Sequence, residues 1–579
     1  MDDFAIWVAA SSVRHVSRQL QLAVTRLERW STVNGLRFST SKTVAVHFCR
    51  RRCHDNHLGL RLYGEVIPTQ PAAKFLGVNF DRRLTYKDHF KTLRERCFKS
   101  LNVLKCVSRT SYGADRRTLL LLYRSIVRSK MDYACFVYDS ASLSSKRVLD
   151  TVHHASLRIV TGAFRTSPVA SLLAEAHEPP LSLRRQMLGM RYALKLRQFQ
   201  SHPTYPYVFS REIISLFESR PQRSPPYCMR MQGLFARSCI PLRSVIRIDT
   251  MSSPPWDCVR PRIDLSLTDV RKFDALPSES RARASELVAS YEDHTLTFTD
   301  GSKSSEGVGC AFVTGCDTRT FTLPANSSVF TSELVAIGKA LCFIEARNEA
   351  LHLILTDSLS SLLALRSFYP SHPLVQDILS RLTALNQAGK SIQLCWIPSH
   401  VGIPGNELAD AAARRAASAP CTRRLPLPAR DFYPAVSAFV LCQWQEAWQA
   451  QPRNKLRNIK PALEPWFSSS RRSRREEVIL CRLRIGHTYA THGYILRGEE
   501  RPLCPRCREP LSVSHIMLTC PQHRRSRMRH LGHIAPDTTL RAVLGEGSDW
   551  VGTGQLFSFI RAIKLHHILT LVTQCHHII

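Results

Sequence analysis

Hydrophobic positions change period several times along the chain, and the changes divide it. Between residues 295 and 400, short stretches alternate or run apolar: "TLTFTD", "GVGCAFVTG", "TRTFTLP", "LHLILTD" and "SIQLCWIPSH" read as strands. Among them, "TSELVAIGKALCFIEAR" sets Leu334, Ile337, Leu341 and Ile344 on one helix face. "HPLVQDILSRLTALNQ" and "PGNELADAAARRAASA" read as further helices. Three hairpin-linked strands followed by alternating helices and strands predict a mixed sheet with helices on its faces. In this frame Asp300 ends the first strand, Asp357 ends the fourth, and Glu333 lies in the first turn of its helix. Asp410 shares a helix face with Asn406.

Other stretches follow different patterns. Residues 1–90 alternate strand-like and helix-like segments, with a helix over "SRQLQLAVTRLERWSTVNG" that ends at Gly35. Residues 91–200 are helical, with basic residues opposite the leucines. Pro, Ser and Arg accumulate over 201–290, which reads as a loosely ordered connector. No stretch reaches the ~18 apolar residues of a membrane span. The C-terminal "LFSFIRAIKLHHILTLVTQ" is broken by Arg561 and Lys564 and reads as an amphipathic helix. No basic region precedes the first apolar run, so the N-terminus does not resemble a secretion signal.

Charge adds a partner class. Lys and Arg number 80 against 46 Asp and Glu, a net charge of +34 over 579 residues, spread along the chain. Such an excess favours polyanions, nucleic acid first, and no membrane partner is expected. The cysteines number 19 and mostly sit singly in apolar surroundings (Cys310, Cys342, Cys395, Cys442). That suits a reducing intracellular compartment, cytoplasmic or nuclear, and not secretion.

Four residues near the C-terminus are exceptions to this scatter. Cys504, Cys507, His515 and Cys520 follow a C-x2-C-x7-H-x4-C spacing that can close one tetrahedral, structural Zn²⁺ site. The competing reading is a set of ordinary buried cysteines beside a histidine. Just upstream, Arg482, Arg484, His487 and His492 make this a basic unit that can hold nucleic acid. The run "SSSRRSRREE" reads equally well as a solvated linker or a contact surface.

Taken singly, each acid in the 295–418 stretch suits a turn or a helix dipole. Together, "FTDGS", "SELVAI", "LTDS" and "WIPSHVGIPGNELADAAA" resemble the type 1 ribonuclease H family, in the family's order, over roughly 295–418. The resemblance implies hydrolysis of the RNA strand of RNA–DNA hybrids. It makes Asp300, Glu333, Asp357 and Asp410 ligands of two Mg²⁺ ions and His400 a mobile histidine assisting proton transfer or product release. Backbone amides at Gly301 and Ser302 would meet the substrate. The segment between Asp357 and His400 lacks the basic helix some members carry, so substrate grip would come from the basic flanks.

The flanks carry a wider resemblance. "MDDFAIWVAA", "LERWSTVNGLRFSTSKT", "AAKFLGVNFDRRLTYKDHF" and "YRSIVRSKMDYACFVY" are similar to the back half of a non-LTR, LINE-type retrotransposon polyprotein. Asp2 and Asp3 would correspond to a vestigial polymerase pair, and Lys42 and the "FLGV" of 75–78 to later palm elements. The implied architecture is multidomain α/β: a truncated reverse transcriptase palm (1–90), a helical thumb (91–200), the connector (201–290), a ribonuclease H domain (291–420) and a basic C-terminal region (421–579) with the zinc motif at 504–520. A further palm aspartate and the fingers are not found, so polymerase activity is expected to be lost. A Mg²⁺-dependent endoribonuclease acting on RNA–DNA hybrids is the expected function; the alternative is a non-catalytic remnant that binds RNA and DNA.

Overall fold

The computed structural model describes residues 4–49, 58–219, 225–248, 259–269, 276–421, 425–471, 473–535, 537–546 and 553–571. Asp2 and Asp3 lie outside the described residues. The chain forms two compact units, Gly189–Val440 and a second built from Met1–Leu188 together with Leu441–Ile579.

The unit Gly189–Val440 is organised by a six-stranded mixed sheet of β1 (Arg262–Asp264), β2 (Thr295–Lys303), β3 (Val308–Thr314), β4 (Asp317–Leu323), β5 (Leu351–Thr356) and β6 (Ser391–Trp396). The spatial order is β1-β6-β5-β2-β3-β4. β2, β3 and β4 pair antiparallel, whereas β5, β6 and β1 continue in parallel from β2. The mixed sheet read from the hydrophobic pattern is therefore present. Its edge strand β1 comes from the stretch expected to be a loose connector, which also forms helices Arg211–Glu218 and Tyr227–Ser238.

Helices α1 (Val329–Glu345), α2 (Leu359–Leu365), α3 (Pro373–Gln387) and α4 (Pro404–Ser418) cover the sheet. Leu334, Ile337, Leu341 and Ile344 of α1 pack with Ile378 and Leu382 of α3 on Phe312, Ile354 and Leu394. Successive strand residues face opposite sides, so Ala311 beside Phe312 meets Ala412 and Ala413 of α4 on the other face. These small residues let α4 approach closely: a β-carbon at Gly309 would lie 2.4 Å from the Ala417 nitrogen.

Two boundaries differ from the sequence reading. Helix α1 starts at Val329 because Ser328 caps it, its hydroxyl accepting from the Thr331 amide at 3.1 Å; Glu333 therefore lies in the second turn. Asp300 sits within β2 instead of ending it. Parallel pairing with β5 stops at Thr299 opposite Thr356, but antiparallel pairing with β3 runs on to Lys303 opposite Val308. Asp300 thus sits where β2 has lost one neighbour and kept the other.

In the second unit, helices Lys87–Val107 and Leu143–Thr161 pack with helix Arg474–Ile485 in one core. Phe90, Leu101, Leu149 and Val152 join Trp444, Trp448, Cys481 and Ile485. Buried ions thread the same region. Arg116 pairs with Glu175 at 2.9 Å, the Ser469 hydroxyl donates to Glu175 at 3.2 Å, and Arg484 donates to Ser469 at 2.8 Å. Arg474 donates to the carbonyls of Val160 and Ile159, each at 2.7 Å, and pairs with Glu477 at 3.2 Å.

These contacts correct two expectations. Arg482 and Arg484 are 2% and 0% exposed, so they cannot touch nucleic acid. Arg482 instead binds the carbonyls of Gly162 and Leu569. The end of "SSSRRSRREE" is no solvated linker either, since Arg474 is buried where its helix begins. Arginine spacing alone does not distinguish a surface guanidinium from one that satisfies buried carbonyls.

The C-terminal helix runs only over Thr553–Ala562. Its Leu556, Phe557 and Ile560 pack with Ile479, Val513 and Met517. Near the start of the chain, the amphipathic helix Val13–Val33 ends at Asn34 and Gly35, whose φ of +65° suits glycine. "FLGV" forms the turn of a hairpin between Ala72–Phe75 and Val78–Asp81. Lys42 is exposed.

Candidate metal centres and nuclease site

Three carboxylates from three elements converge at the end of the sheet. Asp300 comes from β2, Asp357 from the residue after β5, and Glu333 from α1, with ligand oxygens within 4.8 Å of one another. The backbone explains how they meet. A β-carbon at Gly301 would lie 2.5 Å from the Ser332 hydroxyl and 2.6 Å from the Glu333 nitrogen, so only glycine lets α1 settle here. The Trp396 indole donates to the Asp357 carbonyl at 3.1 Å and fixes the turn after β5.

Crowding and burial oppose ionisation of these acids. Burial, then the charges of Asp357 and Asp410, push Asp300 up to about 7, against the pull of the Gly301 amide. Burial and the facing charges of Asp300 and Asp357 push Glu333 up to about 9, again against the Gly301 amide. One Glu333 oxygen, Oε2, is buried with no hydrogen-bond partner. An orphaned oxygen among packed acids fits a hard divalent cation, which would satisfy that oxygen and relieve the repulsion. The Gly301 amide points at carboxylates, while Ser302 follows in the strand, half-buried.

Asp410 and His400 form a neighbouring group. Asp410 is buried on α4, pairs with Arg414 at 2.6 Å and lies 3.7 Å from His400 Nδ1. His400, Glu407 and Asp410 also bring their ligand atoms within 4.8 Å. The loop is shaped by left-handed residues at His400 and Gly402, with φ of +56° and +84°. The Gly402 amide donates to Glu407 at 3.3 Å. His400 keeps 60% of its side chain exposed.

Sequence reasoning passed over three participants. Arg414 stands four residues after Asp410, a spacing that could have flagged the ion pair. Glu407 had the same visibility. Asp431 had none: beyond residue 420, it accepts from Ser328 at 2.8 Å and so steadies the cap of the helix that carries Glu333.

The second cluster belongs to the other unit. Cys504, Cys507 and Cys520 hold their sulfurs 3.7, 3.8 and 4.0 Å apart. A tetrahedron with zinc–sulfur bonds of about 2.3 Å has edges of about 3.8 Å. His515 completes the group. Its Nδ1 faces Glu509 at 2.8 Å, while its Nε2 is buried without a partner. A carboxylate behind one ring nitrogen and a vacant second nitrogen is the arrangement of a zinc-ligating histidine. The Cys507 amide and the His515 side chain lower the Cys504 thiol to about 6, which favours the thiolate a metal needs.

A mixed sheet flanked by helices, with acids at the end where β2 and β5 part, defines a ribonuclease H domain, and residues 292–418 match the RNase H family. The chain is also similar to retrotransposon RNA-directed DNA polymerases and Pol polyproteins. It is 22% identical over 160 residues to a probable RNA-directed DNA polymerase from transposon BS of Drosophila melanogaster, covering 28% of this chain and 18% of that protein. It is 24% identical over 201 residues to the RNA-directed DNA polymerase from mobile element jockey of Drosophila melanogaster, covering 34% and 21%. It is 26% identical over 165 residues to a retrovirus-related Pol polyprotein from type-1 retrotransposable element R1 of Bradysia coprophila, covering 27% and 16%. The matches span 16% to 21% of these relatives' lengths. Among the described residues, no helix is long and apolar enough to cross a membrane.

Proposed function

We propose that the chain hydrolyses the RNA strand of RNA–DNA hybrids at the site of Asp300, Glu333, Asp357 and Asp410. The observation that carries this reading is the convergence of three carboxylates from separate elements beside the orphaned Glu333 oxygen, within a ribonuclease H domain. Two Mg²⁺ ions, when bound, would stabilise charge at the scissile phosphate and ease deprotonation of the attacking water. Asp300 and Asp357 would hold them from the sheet, Glu333 from α1 and Asp410 from α4.

His400 moves a proton in this scheme, because it is exposed, lies on a loop and has Asp410 3.7 Å from its Nδ1. Selection of a hybrid requires contacts to 2′-hydroxyls across the minor groove; the Gly301–Ser302 backbone is the candidate nearest the acids. Cys504, Cys507, His515 and Cys520 bind one Zn²⁺ structurally, since all four ligand positions come from protein. RNA and DNA are the partners that the charge of +34 favours.

The test is cleavage of end-labelled RNA annealed to DNA, with Mg²⁺ or with EDTA, beside Asp357→Asn. Metal-dependent cutting that this substitution lowers by at least about a hundredfold is expected. A hybrid bound but left intact by the parent protein would overturn the enzyme reading in favour of a binding remnant.

A further inference from the structure

His487 and His492 are the two basic residues of the zinc-bearing unit's "RIGHTYATH" stretch that are not consumed by the core. Gly486 ends helix Arg474–Ile485 in the left-handed region, with φ of +78°. The turn brings the two imidazoles into a parallel stack, with centroids 3.7 Å apart and planes 20° from each other. A threonine holds each ring: Thr166 Oγ1 lies 3.1 Å from His487 Nδ1, and Thr491 Oγ1 lies 2.8 Å from His492 Nδ1. The Thr166 backbone also hydrogen-bonds His487, whereas His492 Nε2 has no hydrogen-bond partner among the described residues.

Two cations flank the stack. A β-carbon at Gly486 would lie 2.9 Å from Lys455 Cδ, so the bare turn seats the lysine stem directly beside His487. Arg501, three residues before the first zinc-motif cysteine, acts on both His492 and Lys455. Lys455 and Arg501 are exposed, and neither forms an ion pair among the described residues.

We infer that His487, His492, Lys455 and Arg501 form a binding site for the phosphodiester backbone of single-stranded nucleic acid, separate from the nuclease centre. His492 Nε2 offers a hydrogen-bonding group at a fixed position, and the two cations offer charge. The composition of the site argues against a metal. Burial first, then the neighbouring bases, holds His487 at about 3 and His492 at about 4, and every charged side chain acting on them is basic. An anion relieves that repulsion, whereas a cation adds to it. Threonine hydroxyls behind both rings keep the stack in place before any ligand arrives, which lowers the cost of ordering the site on binding.

The experiment measures binding of a short fluorescein-labelled single-stranded RNA by the full chain across a salt series, without added divalent metal and in an Asp300→Asn background. Hydrolysis then plays no part, and failure of the nuclease reading does not bear on the result. Lys455→Gln with Arg501→Gln is expected to weaken binding roughly tenfold and to flatten the slope of log K against log salt by about 1.4, or about 0.7 per lost phosphate contact. Arg283→Gln with Arg381→Gln removes equal charge elsewhere and should change neither quantity. His487→Asn with His492→Asn should weaken binding with little change in slope. Unchanged affinity and slope in the lysine–arginine variant, with zinc content and melting temperature retained, would overturn the proposal. An equal loss in the control pair would also overturn it, by assigning the effect to net charge.

Discussion

Gly301 and Glu333 approach so closely that a β-carbon on the first would lie 2.6 Å from the amide nitrogen of the second. The glycine is therefore a spacing element that sets how far α1 stands from β2, and with it the distance between two proposed metal ligands. Gly301→Ala forces helix backbone to move, because the obstructing atoms include the Glu333 nitrogen and the Ser332 carbonyl carbon. A loss of about 1–3 kcal/mol in urea unfolding is expected, with a fall in kcat larger than any rise in KM. Parent-like kinetics would show that the acids tolerate the shift.

The acid cluster predicts an unusual pH dependence of stability in metal-free protein. Asp300 and Glu333 keep their protons up to about 7 and about 9, whereas in the unfolded chain they titrate in the ordinary carboxylate range. Above that range the folded form holds protons the unfolded form has released, so their contribution is fully present at low pH and lost as pH rises through 7 and 9. The loss is on the order of a few kcal/mol for each group. Asp300→Asn should raise the melting temperature at pH 8 and flatten its decline between pH 5 and 9, while abolishing cleavage. A parent curve that rises over this interval would refute the assignment.

Zinc removal should act locally and then spread. Val513 and Met517, on either side of His515, pack with Ile479, Leu483 and Phe557. Metal analysis should find one zinc per chain, and Cys520→Ser should lose it. The expected cost is on the order of several kcal/mol, read as protease sensitivity appearing first within 502–531.

Glu175 tests whether the two distant segments share one core. It is 1% exposed and meets Arg116, Ser469 and, at 4.0 Å, Arg484. Glu175→Ala strands buried guanidinium groups and should cost about 3–5 kcal/mol. Hydrogen exchange should rise together in 116–123 and 474–485; a rise confined to the first segment would separate them.

Local patterns made much of the nuclease domain legible. Alternating and continuous apolar runs marked β2 to β6, and the leucine and isoleucine spacing marked α1 and α3, because one buried face imposes its period on the chain. The acids were legible because each lies in, or directly after, an element whose pattern the sequence signals. Asp300 was misplaced within its strand because pairing with β3 continues after β5 has ended, which is a fact about neighbours. β1 went unseen in a segment rich in proline and serine: three residues suffice once β6 offers an open edge. Arg474, Arg482 and Arg484 read as surface charge, since nothing local shows that carbonyls of Val160, Gly162 and Leu569 await them.

The discontinuity of the second unit has a consequence for how the protein is made. Helices Lys87–Val107 and Leu143–Thr161 leave the ribosome well before Trp444, Trp448 and Cys481, which complete their core. At roughly 5–20 residues per second, the intervening Gly189–Val440 takes from over ten seconds to nearly a minute to synthesise. During that delay Arg116 and Glu175 have each other but neither Arg484 nor Ser469, and the apolar faces around Leu101 and Leu149 stand uncovered. The ribonuclease H domain is complete first, so a nascent chain arrested near residue 440 would carry one finished unit attached to an unfinished one. Chaperone occupancy should therefore peak over the first segment and fall only when the last third of the chain has emerged.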